Sequence, residues 1–295
     1  MRNAKRIYGF VLKYSFHIAL CYILPSCIGE DNCAIEPRGE DSVIRIITDW
    51  TNRTEGVEIP ASHEFVANDS IARTLSDDIN IIILDSGYYH IDLYNTAAGV
   101  RINHPTAEVG VEDGMVDPMP GWFFTWAGDL AFFGDVSGDI YAVMRQEVRQ
   151  LTFVIIVPSY LAGLVDSIEA AMGGVASSLN VDDGKPVGKA ESVSLSFNRS
   201  NDSTFVASVR LMGIIGDTQS FSGRMTFTGD MPEPVHGDFE LHERLAGFND
   251  NKKEPMIFLA RIIPLYDPGQ KPPPPPLEAI LMPWEDVSGD SIIFY

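Results

Sequence analysis

Cysteine is scarce in this chain, at 3 of 295 residues. Cys21, Cys27 and Cys33 all lie near the N-terminus, so no disulfide framework staples the body of the sequence. Bases are few as well: Lys+Arg total 21 against 41 Asp+Glu, a formal net charge of −20. Nucleic acids and anionic membrane surfaces are gripped through basic patches, so no nucleic-acid partner is expected. Catalytic spacings are missing too. His63-Glu64 has no second histidine at helical spacing, which excludes a zincin site. Gly184 to Lys189 is rich in Gly and Lys but lacks P-loop spacing, and Ala190 stands where Ser or Thr is needed. No Gly-x-Ser-x-Gly elbow occurs. His63, His90, His104, His236 and His242 are scattered, with His236 and His242 expected on one outer strand face. The expectation is therefore a non-enzymatic protein without cofactor or metal.

The chain does carry an N-terminal apolar stretch. Residues 1–6 hold Arg2, Lys5 and Arg6 and no acid, and the run from Ile7 to Leu24 follows. It ends in Leu24-Pro25-Ser26-Cys27. A basic head, an apolar body and a small residue before the cut describe a secretory signal peptide. A cysteine directly after the small residue marks it as a lipoprotein signal, cut between Ser26 and Cys27, with the Cys27 thiol carrying the lipid. The rivals are a plain signal peptide and a retained spanning helix. For the latter the stretch is short, and Lys13 inside it would cost about 2.5–3.5 kcal/mol at a bilayer centre. Removal of residues 1–26 takes away bases only, so the remainder is more acidic still. Cys33 is then left without an intramolecular partner, and the fold must hold by its core.

Residues 27–41 read as an acidic tether. Two β-domains follow, an N-terminal one over 42–147 and a C-terminal one over 148–295. Ser42 to Trp50 is rich in β-branched residues. Ile79 to Leu84 is a continuous apolar run, as in a buried strand, and a Gly turn joins it to the alternating Tyr88 to Tyr94 as a hairpin. Arg101 to Pro120 is polar and reads as loop. In the second half, Tyr160 to Met172 places Leu161, Leu164, Ile168 and Met172 at helical spacing, with Gly173-Gly174 as a stop. Four alternations then appear: Val193/Leu195/Phe197, Phe205/Ala207/Val209/Leu211, Phe221/Gly223/Met225/Phe227 and Val235/Gly237/Phe239/Leu241. Period two with a polar outer face means antiparallel sheet over a core. Pro272 to Pro276 forms a stiff spacer before an apolar C-terminal strand. The fold class is all-β, mainly antiparallel, with one short helix in the second domain.

Two further motifs draw attention. Asp135-Val136-Ser137-Gly138-Asp139 recurs as Asp286-Val287-Ser288-Gly289-Asp290, but neither copy has the ligand spacing of a calcium loop, so both read as turns. The aromatic stretch Gly121 to Phe133 contains Trp122 and Trp126, a candidate platform for stacking a glycan. Its plainer reading is a strand crossing the core.

Several segments, taken in order, resemble the fimbrillin-A-associated anchor family of Gram-negative anaerobes. They are Cys27-Ile28-Gly29-Glu30-Asp31-Asn32-Cys33, Ile46-Ile47-Thr48-Asp49-Trp50, Leu84-Asp85-Ser86-Gly87-Tyr88-Tyr89 leading to Asn95, Ser167 to Ala176, and Pro283-Trp284-Glu285-Asp286. The resemblance implies two tandem β-sandwich domains of transthyretin-like type. It also implies an outer-membrane lipoprotein at the fimbrium base or cell surface. Its partners would be fimbrial subunits, bound by β-strand addition, and the membrane, reached through the lipid on Cys27. The alternative is a surface glycan-binding lipoprotein of a nutrient-uptake system. Metabolic labelling with a fatty-acid analogue tests the lipid: the wild-type chain should take up label and the Cys27→Ala chain should not.

Overall fold

The computed structural model describes residues 42–134, 137–229, 234–264 and 277–282. Cys27, Ser26, the tether, the proline run and the second Asp-Val-Ser-Gly-Asp copy lie outside the described residues. The strands run in the order β1 (Ser42–Asp49), β2 (His63–Ala67), β3 (Ile71–Leu75), β4 (Ile79–Leu84), β5 (Gly87–Tyr94), β6 (Val100–Asn103) and β7 (Thr106–Val109). Then come β8 (Val111–Glu112), β9 (Met115–Val116), β10 (Phe124–Phe132), β11 (Ser137–Val143), β12 (Arg145–Gln146), β13 (Arg149–Ile156), and helix α1 (Ser159–Ala162). The second half continues with β14 (Val165–Asn180), β15 (Pro186–Ser196), β16 (Asn198–Arg199), β17 (Thr204–Leu211), β18 (Ser220–Phe227), β19 (Val235–Glu240), β20 (Met256–Pro264) and β21 (Leu277–Met282). The fold is all-β, and no helix among the described residues is long and apolar enough to cross a membrane.

In the first half, a three-stranded sheet β11-β1-β4 and a five-stranded sheet β12-β10-β5-β2-β3 enclose a core of Ile44, Ile46, Phe65, Ile82, Leu93 and Phe124. In the second, a sheet β16-β17-β13-β20-β21 and an eight-stranded sheet built around β14 and β15 enclose Phe153, Met172, Val193, Leu211, Phe221 and Phe258. Alternation explains the strands. In β13, Arg149, Leu151, Phe153 and Ile155 turn inward while every second residue is half-exposed. The four period-two segments of the second half became β15, β17, β18 and β19, all in antiparallel pairs.

The structure corrects four expectations. Tyr160 to Met172 is not a helix: only Ser159–Ala162 is helical, and the rest enters β14. Strand β14 is paired on both sides, by β15 and β18, and this pairing overrides the helix propensity of Glu169, Ala170, Ala171 and Met172. Irregularities between Val165 and Ser167, Gly173 and Val175, and Ala176 and Ser178 shift the inward phase. They turn a period of two into spacings that imitate a helix. Gly173-Gly174 is one of these bulges, not a stop. Gly174 sits at φ +76°, and a Cβ there would meet the Thr218 carbonyl oxygen at 2.5 Å.

Second, Arg101 to Pro120 is not loop, because it holds most of β6 and all of β7 to β9. These strands join the eight-stranded sheet of the second half, β7 on β14 and β9 on β15. Third, β4 and β5 are not a hairpin. They lie in different sheets, so the turn at Asp85-Ser86 carries the chain across the core. Fourth, β4 is not buried on both faces. Only Ile82 and Leu84 are enclosed.

The halves interlock at two places. Phe123 is buried in the second core and Phe124 in the first, with Trp122 touching both. Beside them lies a buried ion network. Lys252 Nζ donates to Glu147 Oε2 at 2.9 Å and to the Gly184 carbonyl at 2.9 Å. Arg145 Nε and Thr125 Oγ1 donate to Glu147 Oε1 at 2.9 and 2.8 Å. A Cβ at Gly184 would stand 2.6 Å from both Glu147 oxygens, so glycine is required there. Burial pushes the Glu147 carboxyl up, but the charges of Lys252 and Arg145 and their hydrogen bonds outweigh it, and the carboxyl is held below its ordinary value of 4.5.

Lys252→Met should therefore leave Glu147 Oε2 and the Gly184 carbonyl buried without a donor, with Arg145 still paired to Oε1, and cost about 1–3 kcal/mol in urea unfolding. A carboxyl lowered by folding adds stability that is complete above its unfolded pKa and is lost as pH falls through the folded one. Acidification below about pH 4.5 should thus cost the wild type more than Glu147→Gln, each measured against its own stability at neutral pH.

Candidate functional site

Among the described residues, the outer face of the sheet β11-β1-β4 departs from a solvated surface. Period two in β4 sends Ile82 and Leu84 inward and Ile79, Ile81 and Ile83 outward, where they are 55%, 66% and 51% exposed. Val43 of β1 and Tyr141 and Val143 of β11 are exposed on the same face. The register places Val43 beside Ile83, Arg45 beside Ile81 and Ile47 beside Ile79 on one side. On the other side, Arg45 stands beside Asp139 and Ile47 beside Tyr141. One ion pair crosses this apolar field, with Arg45 Nε donating to Asp139 Oδ1 at 2.9 Å. Apolar side chains grouped this way on a sheet face mark an interaction surface.

The edge next to that face is open. Among the described residues β4 pairs only with β1. The Thr48 N–H donates to the Asp78 carbonyl at 2.9 Å. This sets the antiparallel phase, so the N–H and C=O groups of Ile79, Ile81 and Ile83 point away from β1. The same three residues thus offer unpaired backbone at the edge and apolar side chains on the face. The run Ile79 to Leu84 is visible in the sequence. Which of its faces is bare depends on where β1 lies, and the sequence is silent on that.

The expected glycan platform is differently placed. Trp122 and Trp126 are half-buried and pack on the cores. The Arg210 guanidinium lies 5.2 Å from the centre of the Trp122 ring and covers one of its faces. The Trp126 ring lies against Gly128, where a Cβ would approach it to 2.8 Å. His63 is buried edge-on to Trp50, and burial lowers its pKa. His236 is exposed on β19, while His242 lies beyond the strand and bonds Gln219. His90 and His104, far apart in the sequence, meet in space with Asp92 and Asp182 and could hold a cation.

The fold defines a class before it defines a protein: a tandem β-sandwich whose halves share strands. No protein-family model matches the chain, and a search of curated proteins finds no match. Solved structures do match. A candidate adhesin from Bacteroides ovatus superposes with a TM-score of 0.55 at 14% identity, over 79% of this chain and 94% of that one. A candidate polysaccharide-binding protein of the DUF1812 group from Bacteroides thetaiotaomicron gives 0.53 at 8% identity, over 75% and 91%. The fimbrial anchor protein Mfa2 from Porphyromonas gingivalis gives 0.48 at 17% identity, over 75% and 90%, a score too low to carry an argument about this chain. The likeness to the first two is one of fold.

The bare face contributes little to folding. Ile81→Ser combined with Ile83→Ser should change unfolding free energy by no more than about 1 kcal/mol, since surface substitutions each stay near 0.5 kcal/mol. The same double variant should bind markedly less of a fluorescent hydrophobic probe than the wild type.

Proposed function

We propose that this chain is a non-enzymatic cell-surface protein of the fimbrial adhesion type. In this reading it is held to the outer membrane through lipid on Cys27 and binds an extended strand of a fimbrial subunit. One observation carries the proposal: β4 joins a backbone edge that is unpaired among the described residues to a face bearing Ile79, Ile81 and Ile83. Strand addition draws affinity from main-chain hydrogen bonds and selectivity from alternate side chains, and β4 supplies both. The occupant is a strand whose alternate residues are apolar, extending the sheet beyond β4. The fold shared with a candidate Bacteroides adhesin supports this, as do the anchor-like segments of the sequence.

The first strand matters to the role. β1 lies between β11, to which it is parallel, and β4, to which it is antiparallel. It buries Ile44 and Ile46, so this chain fills its own central slot. A subunit that keeps its first strand and a lipid ahead of it suits the base of a fimbrium better than a repeating shaft.

A glycan-binding role is the competing reading. It has the fold of the candidate polysaccharide-binding protein in its favour, and the part-covered Trp122 and Trp126 against it.

The chain should recover a fimbrial subunit from a fimbriated strain. The Ile81→Lys, Ile83→Lys variant should recover at least tenfold less, and Trp122→Ala should recover as much as wild type. Recovery of no fimbrial subunit, with normal fimbriae in a deletion strain, would falsify the proposal. Binding to an oligosaccharide array that Trp122→Ala or Trp126→Ala abolishes would favour the competing reading.

A further inference from the structure

At the junction of the halves, four side chains from three separate segments point at one another. His90 and Asp92 come from β5, His104 from the turn between β6 and β7, and Asp182 from the turn between β14 and β15. One nitrogen or oxygen of each lies within 4.8 Å of all the others. Asp92 belongs to the outer face of its sheet, where a solvated carboxylate would be ordinary, yet its side chain is 2% exposed. Three atoms of the cluster are buried without a hydrogen-bond partner: His90 Nε2, Asp92 Oδ1 and Asp182 Oδ1. Buried polar atoms are seldom left so, and three orphans facing one point indicate a missing partner.

The spacing identifies that partner. His90 Nε2 stands 3.5 Å from Asp92 Oδ1 and 3.4 Å from Asp182 Oδ1. These are too long for good hydrogen bonds. Zinc binds imidazole nitrogen and carboxylate oxygen at about 2.0–2.2 Å, which puts neighbouring corners of its tetrahedron about 3.4 Å apart. The outer shell agrees. His90 Nδ1 lies 2.7 Å from Asp129 Oδ1, and His104 Nδ1 lies 2.9 Å from Asp69 Oδ1. An Nδ1–H donated outward to a carboxylate turns the Nε2 lone pair inward, as metal-binding histidines do. His104 Nε2 then faces Asp92 Oδ2 at 2.9 Å. Two acceptors that close need positive charge between them, from a second ring proton or from a cation.

We propose that His90, Asp92, His104 and Asp182 form a divalent-cation site of zinc type that joins the two halves of the molecule. Two imidazoles favour zinc over calcium or magnesium, which prefer oxygen ligands. Two carboxylates balance its charge. His90, His104 and Asp182 are partly exposed, which gives the ion a way in. The cation fixes β5 of the first half to the β6–β7 hairpin and to the β14–β15 turn. It thereby supplies a cross-link where disulfides are lacking.

The test uses the full chain in detergent, stripped with chelator and titrated with zinc chloride by calorimetry. One saturable equivalent is expected, and the melting temperature should rise with zinc. Asp129→Asn changes an 88% exposed side chain and should weaken binding by roughly 10- to 100-fold, the usual cost of losing an outer-shell partner. Asp92→Asn and Asp182→Asn should weaken it further. Cobalt(II) in place of zinc should give the visible bands of a nitrogen and oxygen site, without the thiolate charge transfer that Cys27 or Cys33 would add. Should Asp92→Asn fail to fold, Asp182→Asn and Asp129→Asn carry the same test from partly and largely exposed positions. Absence of saturable binding, or binding unchanged in Asp182→Asn and Asp129→Asn, would overturn the proposal and leave the cluster an ordinary set of His–Asp ion pairs.

Discussion

A buried lysine and a buried glutamate hold the two β-sandwich halves at their junction. Glu147 sits where the chain leaves β12 for β13, and Lys252 arrives from the loop between β19 and β20. Neither charge would be stable there alone, because a desolvated ion costs several kcal/mol. Together they organise what surrounds them. Glu147 holds Arg145, and Arg145 NH2 donates to the carbonyls of Val181 and Asp182 at 3.1 Å each. Gly184, two residues on, accepts from Lys252. The β14–β15 turn is thus held by two cations that share one anion. The Asp182 side chain is delivered to His90 by that turn. A network that looks structural therefore sets the geometry of the His–Asp cluster.

The interlock has a second part, made of apolar contacts. Phe123 and Phe124 are neighbours in sequence, and each is fully buried in a different core. Strands β6 to β9 leave the first half and complete a sheet of the second. The halves are therefore joined by shared strands as well as by a linker, and pulling them apart would expose both phenylalanines. For the proposed strand addition at β4, this interlock means that an added strand would meet a sheet already fixed in register.

Much of this was legible in the sequence where side chains alternate cleanly, as in β13, β15, β17 and β18. It failed where pairing partners decide the outcome. Glu169-Ala170-Ala171-Met172 has helical propensity, yet regular pairing with a neighbouring strand on each side makes it a strand. Ile79 to Ile83 reads as buried, because an apolar run does not reveal that one of its faces is left exposed among the described residues. The His–Asp cluster was invisible for a related reason. His90, His104 and Asp182 share no local spacing, and only the exchange of β6 to β9 between halves brings them together. Asp92 gave no sign either, because alternation with Ile91 and Leu93 puts it on an outer face, where an acid is ordinary.

The exposed apolar face of β4 and the buried Asp92 work in opposite directions along the same chain. At β4, apolar residues face solvent, and in the proposed role the energetic gain would come from covering them with a partner. At Asp92, a charge lies where water cannot reach, and the gain comes from placing an opposite charge beside it. A cation there would add most to stability by closing segments that are distant in sequence, since the unfolded chain loses entropy when such loops are tied. Here the three cysteines all precede β1, so none of them can tie the halves to each other, and the proposed cation would close the junction that a disulfide cannot.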